Sequence, residues 1–194
     1  MPVTMIDART ALLVVDLQAG IVSSAAERLT EDVPSMAQVL GRSRALADAF
    51  RQRDLPVVLI NVAGSAPGRT QEPARFSGPF PEGFTDFVPE LAQQPEDITV
   101  TKRTWGAFAS TDLDARLKAM AITQVIVAGI ATGTGVESTA RQAFEQGYNV
   151  TLAIDAMSDI RPRAHQYSIE SVFPRLGETG TVQEIIDLLG SKEA

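Results

Sequence analysis

Short apolar runs alternate along the chain with longer segments whose apolar residues recur at helical spacing. The runs are rich in valine, isoleucine and leucine, which is typical of strands buried on both faces of a parallel sheet. We predict strands at 11–15, 57–62, 98–102, 124–128 and 149–154. Leu13, Leu59 and Val127 are expected in the core of that sheet.

The segments between these runs predict helices. The helix at 34–53 has one broad apolar face, and Thr181-Val-Gln-Glu184 is a capping box that opens the last helix, through Leu189. The other predicted helices span 112–121, capped by Thr111, and 135–145 and 162–172. Strands alternating with helices predict a three-layer α/β/α sandwich with a mostly parallel, doubly wound sheet, as a single domain over residues 1–194. Residues 64–97 are predicted to form a long irregular loop.

The amino-acid composition excludes several classes of function. The 194 residues are 44% apolar and 21% charged, which suits a globular domain with a sizeable core. A net charge of −7 argues against a nucleic-acid partner. There is no cysteine, which excludes disulfides, thiolate metal sites and a cysteine nucleophile, and the single histidine, His165, excludes a multi-histidine metal site. No basic segment followed by a long apolar run occurs, so we expect a soluble, cytoplasmic protein without membrane association.

Three features follow predicted strands directly. Asp16 follows the first strand, Lys102 ends the third, and Ala131-Thr-Gly-Thr-Gly135 joins the fourth to a helix amino terminus that favours anions. Ligands of open α/β sheets bind at the carboxyl ends of the strands, so an acid, a cation and an anion-binding turn are expected to converge there. Each feature alone also fits a turn residue, a surface charge or a common loop.

Several segments together resemble the isochorismatase-like hydrolases, also called the cysteine hydrolase superfamily, along nearly the whole chain. The resemblance is carried by Leu13-Val-Val-Asp-Leu-Gln18, Thr101-Lys-Arg-Thr-Trp-Gly-Ala-Phe108, Val127-Ala-Gly-Ile-Ala-Thr-Gly-Thr-Gly-Val-Glu-Ser-Thr-Ala-Arg-Gln-Ala143, Asp155-Ala156, His165 and Phe173-Pro-Arg-Leu-Gly177. It implies that Asp16 and Lys102 are site residues and that Gly135 occupies the position of the family's nucleophilic cysteine. It also implies a homo-oligomer, a dimer or a tetramer.

A branch of that family with glycine at this position, the isochorismatases proper, cleaves an enol ether without a protein nucleophile. By this resemblance Asp16 is the general acid, Lys102 positions the substrate or the acid, and backbone amides from Thr132 to Gly135 hold an oxyanion or a water. The resemblance also implies a cis peptide at Ala131-Thr132. The histidine-containing metal motif of other members is absent from residues 61–69, so we expect no metal and no cofactor.

Further residues are candidates for contact with a small-molecule substrate. They are Gln18, Trp105, Phe108, Ala131, Thr132 and Thr134. Trp105 and Phe108 fit the core as well as a pocket wall, and Arg69 and Arg75 fit the surface as well as a carboxylate site. Glu137 and Arg141 are expected to form an intrahelical ion pair, and His165 is expected to be structural.

Two alternatives to enol-ether hydrolysis stay open. One is a catalytically inert relative that binds a small carbonyl or carboxylate ligand. The other is an amide or ester hydrolase that uses an activated water or a hydroxyl of Thr132, Thr134 or Ser138.

Overall fold

The computed structural model describes residues 2–72 and 80–190, and a six-stranded parallel sheet lies at its centre. The strands are β1 (Thr10–Val15), β2 (Val57–Val62), β3 (Ile98–Lys102), β4 (Gln124–Ile130), β5 (Asn149–Ser158) and β6 (Glu178–Gly180). Their order is β3-β2-β1-β4-β5-β6, and each neighbouring pair is parallel. The order reverses direction between β1 and β4, which places a crevice at the carboxyl ends of these two strands.

Helices cover both faces of the sheet. They are α1 (Ala19–Ala26), α2 (Met36–Arg51), α3 (Leu113–Ala119), α4 (Glu137–Glu145), α5 (Pro162–Tyr167) and α6 (Val182–Gly190). Leu12 and Val14 of β1 pack with α2 and α6 on one face, and Leu13 and Val15 pack with α3 and α4 on the other. The alternation of side chains along a strand therefore produces two apolar cores, and the predicted doubly wound, three-layer α/β fold is confirmed.

Capping residues place the ends of two predicted helices. Thr181 and Glu184 form the predicted capping box: the Glu184 carboxylate accepts from Thr181 N at 2.7 Å, and Thr181 Oγ1 accepts from Glu184 N at 3.3 Å. The helix predicted from residue 34 begins at Met36, because Ser35 and Gln38 form a second capping box. The third helix, α3, begins at Leu113 with Asp112 as its N-cap, so the predicted cap, Thr111, lies one residue too early, although Thr111 Oγ1 accepts from Leu113 N at 3.2 Å.

Other elements differ from the prediction. Helix α1 has no side-chain cap, and β6 has only three residues, so neither was predicted. The helix predicted at 135–145 begins at Glu137, because residues 135 and 136 belong to a π-helical turn at Thr132–Val136. The helix predicted at 162–172 ends in another π-helical turn, at Ser168–Val172.

Strand β5 runs to Ser158, four residues beyond the predicted end at 154. The register of β4 and β5 shifts between Val127 and Gly129, so β5 carries extra residues in a bulge. Gly129 has φ +113°, and a Cβ there would lie 2.1 Å from the Val15 carbonyl oxygen, so only glycine fits beside β1. The bulge moves the carboxyl end of β5 to Ser158, immediately before Asp159.

The predicted loop at 64–97 contains a 3₁₀ turn at Pro89–Leu91, and its residues 73–79 lie outside the described part of the chain. Within residues 2–72 and 80–190, no helix has the length and apolar character that a membrane span requires.

Candidate active site

An ion pair joins the carboxyl ends of β1 and β3. Asp16 follows β1 with a left-handed backbone (φ 55°), while its N–H still donates to Ile60 O at 2.8 Å. Lys102 is the last residue of β3, two strands away, and its side chain crosses the edge of β2. Lys102 Nζ donates to Asp16 Oδ2 at 2.7 Å and to Trp105 O at 2.7 Å. Both side chains are almost fully buried, with exposed fractions of 8% for Asp16 and 1% for Lys102.

Burial controls the acidity of Asp16. Desolvation raises the pKa of this carboxyl to about 6, although the charge and hydrogen bond of Lys102 act in the opposite direction. Asp16 Oδ1 is buried and has no hydrogen-bond partner among the described residues. Because Oδ2 accepts from Lys102, a proton on this carboxyl belongs on Oδ1. The arrangement gives a carboxylic acid that can exchange a proton near neutral pH.

Gly135 lies directly against this carboxyl, in the π-helical turn after β4. A Cβ at this position would lie 2.8 Å from Asp16 Oδ2 and 3.3 Å from both Ile130 O and Val15 Cγ1. A side chain here would therefore press on the acid. Asp16, Lys102 and Gly135, which the sequence placed at three strand ends, come together at the β1–β4 crevice.

The non-proline cis peptide occurs at this crevice, but at Ile130-Ala131. The predicted position, Ala131-Thr132, was wrong by one residue. The cis bond joins the last residue of β4 to Ala131, which is half-buried and immediately precedes the turn.

Side chains that follow β5 hold the turn. Thr132 Oγ1 lies 2.8 Å from His165 Nδ1, and both side chains are buried. Thr134 Oγ1 accepts from Arg161 Nη2 at 2.8 Å. The N–H of Gly133 donates to Asp159 Oδ2 at 2.9 Å. Asp159 and Arg161 were missed as site residues because β5 was expected to end near Asp155, whose carboxylate instead accepts from Val182 N at the start of α6.

His165 is buried, which is consistent with the structural role expected for it. Burial lowers the pKa of its imidazole, while the charge of Asp159 opposes the shift. The predicted Glu137–Arg141 ion pair is present on α4 at 2.9 Å. Glu137 also accepts from Ser168 Oγ at 2.6 Å, which joins α4 to the segment that follows α5.

Gln18 lies near the site, but its carboxamide is bonded to the main chain. Oε1 accepts from Val62 N at 2.7 Å, and Nε2 donates to Val62 O at 3.1 Å and to Phe84 O at 3.2 Å. The side chain is fully buried. Gln18 therefore ties the carboxyl end of β2 to the segment around Phe84.

The two aromatic candidates differ. Phe108 is buried in the core, with its ring centroid 5.9 Å from that of Tyr148, which is the core alternative that the sequence left open. Trp105 is 66% exposed, although its carbonyl oxygen accepts from Lys102 at the site. Arg69 is exposed, and Arg75 lies outside the described residues. The described residues contain no group of three or more acidic, histidine or cysteine side chains that could hold a metal ion.

Comparison with known proteins agrees with this architecture. The model of the Isochorismatase domain matches residues 10–184. The chain is 39% identical over 185 residues to YwoC, an uncharacterized isochorismatase family protein of Bacillus subtilis, with 92% of this chain and 93% of that protein covered. It is 29% identical over 199 residues to the ureidoacrylate amidohydrolase RutB of Stutzerimonas stutzeri, with 89% of this chain and 80% of RutB covered.

A solved structure shows the same fold. An isochorismatase family protein from Burkholderia thailandensis superimposes with a TM-score of 0.88 at 36% identity, covering 96% of this chain and 98% of that one. The fold and the family model together define an isochorismatase-like α/β hydrolase. The chain belongs to the isochorismatase family.

Proposed function

We propose that this protein hydrolyses an enol ether, or a related acid-labile bond, in a small molecule, with Asp16 as the general acid. The observation that carries the proposal is the asymmetric environment of the Asp16 carboxyl. Lys102 occupies Oδ2, whereas Oδ1 is buried without a partner among the described residues. With a pKa of about 6, roughly one carboxyl in ten is protonated at pH 7.

The reaction balances without a cofactor. Asp16 Oδ1–H gives its proton to the terminal alkene carbon, a C–H bond forms, and the ether oxygen stabilises the adjacent carbon as an oxocarbenium ion. Water attacks that carbon and returns a proton to Asp16. The hemiketal then collapses: its hydroxyl proton passes to the ether oxygen, the C–O bond breaks, and an alcohol and a carbonyl compound are released. Lys102 stabilises the carboxylate that exists between the two proton transfers.

The absence of cysteine supports a route without a covalent thioester, because no side chain of this protein can supply a thiolate. The steric environment of Gly135 supports it as well, since a Cβ would lie only 2.8 Å from Asp16 Oδ2. Glycine at this position leaves the acid undisturbed.

A second candidate is amide or ester hydrolysis through the hydroxyl of Thr132. Its specific support is the 2.8 Å contact between Thr132 Oγ1 and His165 Nδ1, which pairs a hydroxyl with a base. A relative, RutB, is named as an amidohydrolase. Asp16 would then be dispensable for proton donation, and Thr132 would be essential.

The test compares turnover of an enol-ether panel and an amide panel by the native protein, Asp16→Asn and Thr132→Val. The control is Asp97→Asn. Asp97 is another buried carboxylate that is paired with a cation, the guanidinium of Arg51. We expect the native protein to turn over the enol-ether panel. In Asp16→Asn the kcat should fall about 10²–10⁴-fold, whereas in Asp97→Asn it should stay unchanged.

Other outcomes contradict the proposal. Amide turnover that is lost in Thr132→Val but kept in Asp16→Asn would establish the second candidate. A third outcome is that the native protein turns over neither panel while Gly135→Cys turns over amides. This result would indicate an inert relative of a cysteine amidase.

A further inference from the structure

Three consecutive residues of the turn after β4 are each held by a different side chain of the segment after β5. His165 contacts Thr132, Asp159 accepts from Gly133 N, and Arg161 donates to Thr134. These contacts immediately precede Gly135, the residue that lies against Asp16. The position of Gly135 therefore depends on a segment that does not itself reach the acid.

Asp159 is the centre of this arrangement. Its side chain is fully buried. Oδ2 accepts from Gly133 N at 2.9 Å, while Oδ1 accepts from Arg161 N at 2.9 Å and from Arg161 Nε at 3.3 Å. Both oxygens are thus engaged by the protein, so Asp159 holds the turn directly and also orients the guanidinium that holds Thr134.

The turn has little freedom to move relative to Asp159. A Cβ on Gly133 would lie 3.0 Å from Ala164 Cβ and 3.3 Å from Asp159 Oδ2, so the backbone of the turn already touches α5 closely. Two residues further on, the backbone of Gly135 lies beside the Asp16 carboxyl, so close that a Cβ there would be 2.8 Å from Oδ2. Loss of the Gly133 anchor would free the backbone that lies beside the acid.

We infer that Asp159 is a positioning residue, which keeps the Asp16 carboxyl dry by fixing the turn from Thr132 to Gly135. Its effect on turnover rests on the proposed function, whereas its effect on the titration of Asp16 does not. Truncation of Asp159 admits water to Asp16, and better solvation of the carboxylate lowers the pKa of that carboxyl.

Charged and titratable side chains lie next to both Asp16 and Asp159, and they can influence the titration of these carboxyls. Lys102 faces Asp16, and Arg161 and His165 face Asp159. The pKa of His165 is lowered by burial. Because His165 is the only histidine in the chain, its imidazole can be followed separately by proton NMR.

The experiment measures the Asp16 carboxyl titration by ¹³C NMR in the native protein, Asp159→Ala and Asp159→Asn, with the resonance assigned by its loss in Asp16→Asn. Asp97→Asn is the matched control, since Asp97 is a buried, arginine-bonded acid that precedes β3, at the opposite edge of the sheet. We expect the pKa to fall by about one unit in Asp159→Ala and by less in Asp159→Asn, which keeps one acceptor for Gly133 N.

Kinetics give the second readout. Since a general acid must be protonated, the alkaline limb of the kcat profile moves to lower pH by the same amount, and kcat at pH 7 falls about tenfold with little change in KM. An unchanged Asp16 pKa in folded Asp159→Ala or Asp159→Asn overturns the inference. A shifted pKa in a protein that turns over nothing supports the positioning role and contradicts the proposed function instead.

Discussion

Lys102 binds one oxygen of Asp16, and the other oxygen of that carboxyl is buried without a partner among the described residues. A cation at 2.7 Å ordinarily makes a carboxyl a stronger acid, yet burial raises the pKa of Asp16 to about 6. The pair therefore combines a weak acid with a group that stabilises its conjugate base.

Replacement of Lys102 tests this balance. In Lys102→Met the opposing charge and hydrogen bond are lost while the site stays apolar, so the pKa of Asp16 should rise above about 6. A ¹³C titration of the carboxyl measures the shift. Lys118→Met is the control, because Lys118 belongs to an exposed ion pair with Asp114 on α3. A pKa of Asp16 that stays unchanged or falls in Lys102→Met would show that Lys102 does not lower the pKa of this carboxyl.

The same burial makes stability depend on pH. The folded state binds the Asp16 proton more tightly than the unfolded chain, because the pKa is raised from 3.8 to about 6. The contribution is complete below the unfolded value and is lost as pH rises through about 6. Between pH 3 and 7 the native protein should therefore lose on the order of 3 kcal/mol of unfolding free energy relative to Asp16→Asn.

Urea unfolding of both proteins across that pH range measures the difference. The exposed acid Asp112 offers a control, since Asp112→Asn should follow the native curve closely. Parallel curves for the native protein and Asp16→Asn would contradict a raised pKa in the folded state.

Alanine substitutions at two glycines distinguish the effect of steric crowding from that of helix propensity. A methyl group on Gly135 meets Asp16 Oδ2 at 2.8 Å, whereas one on Gly41 in α2 meets nothing within 4 Å. Gly135→Ala should destabilise the fold by about 1–3 kcal/mol through overpacking and displace the acid, with loss of turnover. Gly41→Ala should stabilise it by about 0.5–1 kcal/mol. Thermal unfolding of both variants checks the contrast, and equal effects would show that the turn yields freely.

The convergence of Asp16 and Lys102 could be predicted because it depends on topology. Parallel strands bring their carboxyl ends to one edge of a sheet, and apolar runs locate those ends well when the strands are regular. This holds for β1 and β3, whose last residues lie at or within one residue of Asp16 and Lys102.

The role of Asp159 could not be predicted in this way. The bulge in β5 lengthens the strand by residues that do not continue its pattern, so the strand was predicted to end at residue 154, well before Asp159. Hydrogen bonds to backbone groups of another loop, such as that from Gly133 N, leave no pattern in a sequence. The same limit applies to the cis peptide, which occurs one residue earlier than predicted.

Gln18 allows a final test, of how the segment around Phe84 is held at the edge of the site. Its carboxamide bonds the main chain of Val62 and Phe84, and beside it Ala19 N donates to Asp86 O at 2.8 Å and Gly20 N to Phe84 O at 3.0 Å. The apolar substitution Gln18→Leu removes the carboxamide bonds to the main chain of Val62 and Phe84, which should cost about 2–4 kcal/mol of unfolding free energy. Amide exchange at Ala19 and Gly20 should accelerate more than exchange in β4, since the damage is local.

Gln166→Leu is the control for that experiment, because Gln166 is exposed and, among the described residues, its side chain bonds Glu170 alone, at 2.8 Å. Its effect on stability should stay within about 0.5 kcal/mol, as for most surface substitutions. Equal exchange rates at Ala19 and Gly20 in the native protein and Gln18→Leu would mean that the main-chain bonds alone hold the segment. Faster exchange confined to these amides would instead identify the Gln18 carboxamide as the link between this segment and the carboxyl end of β2.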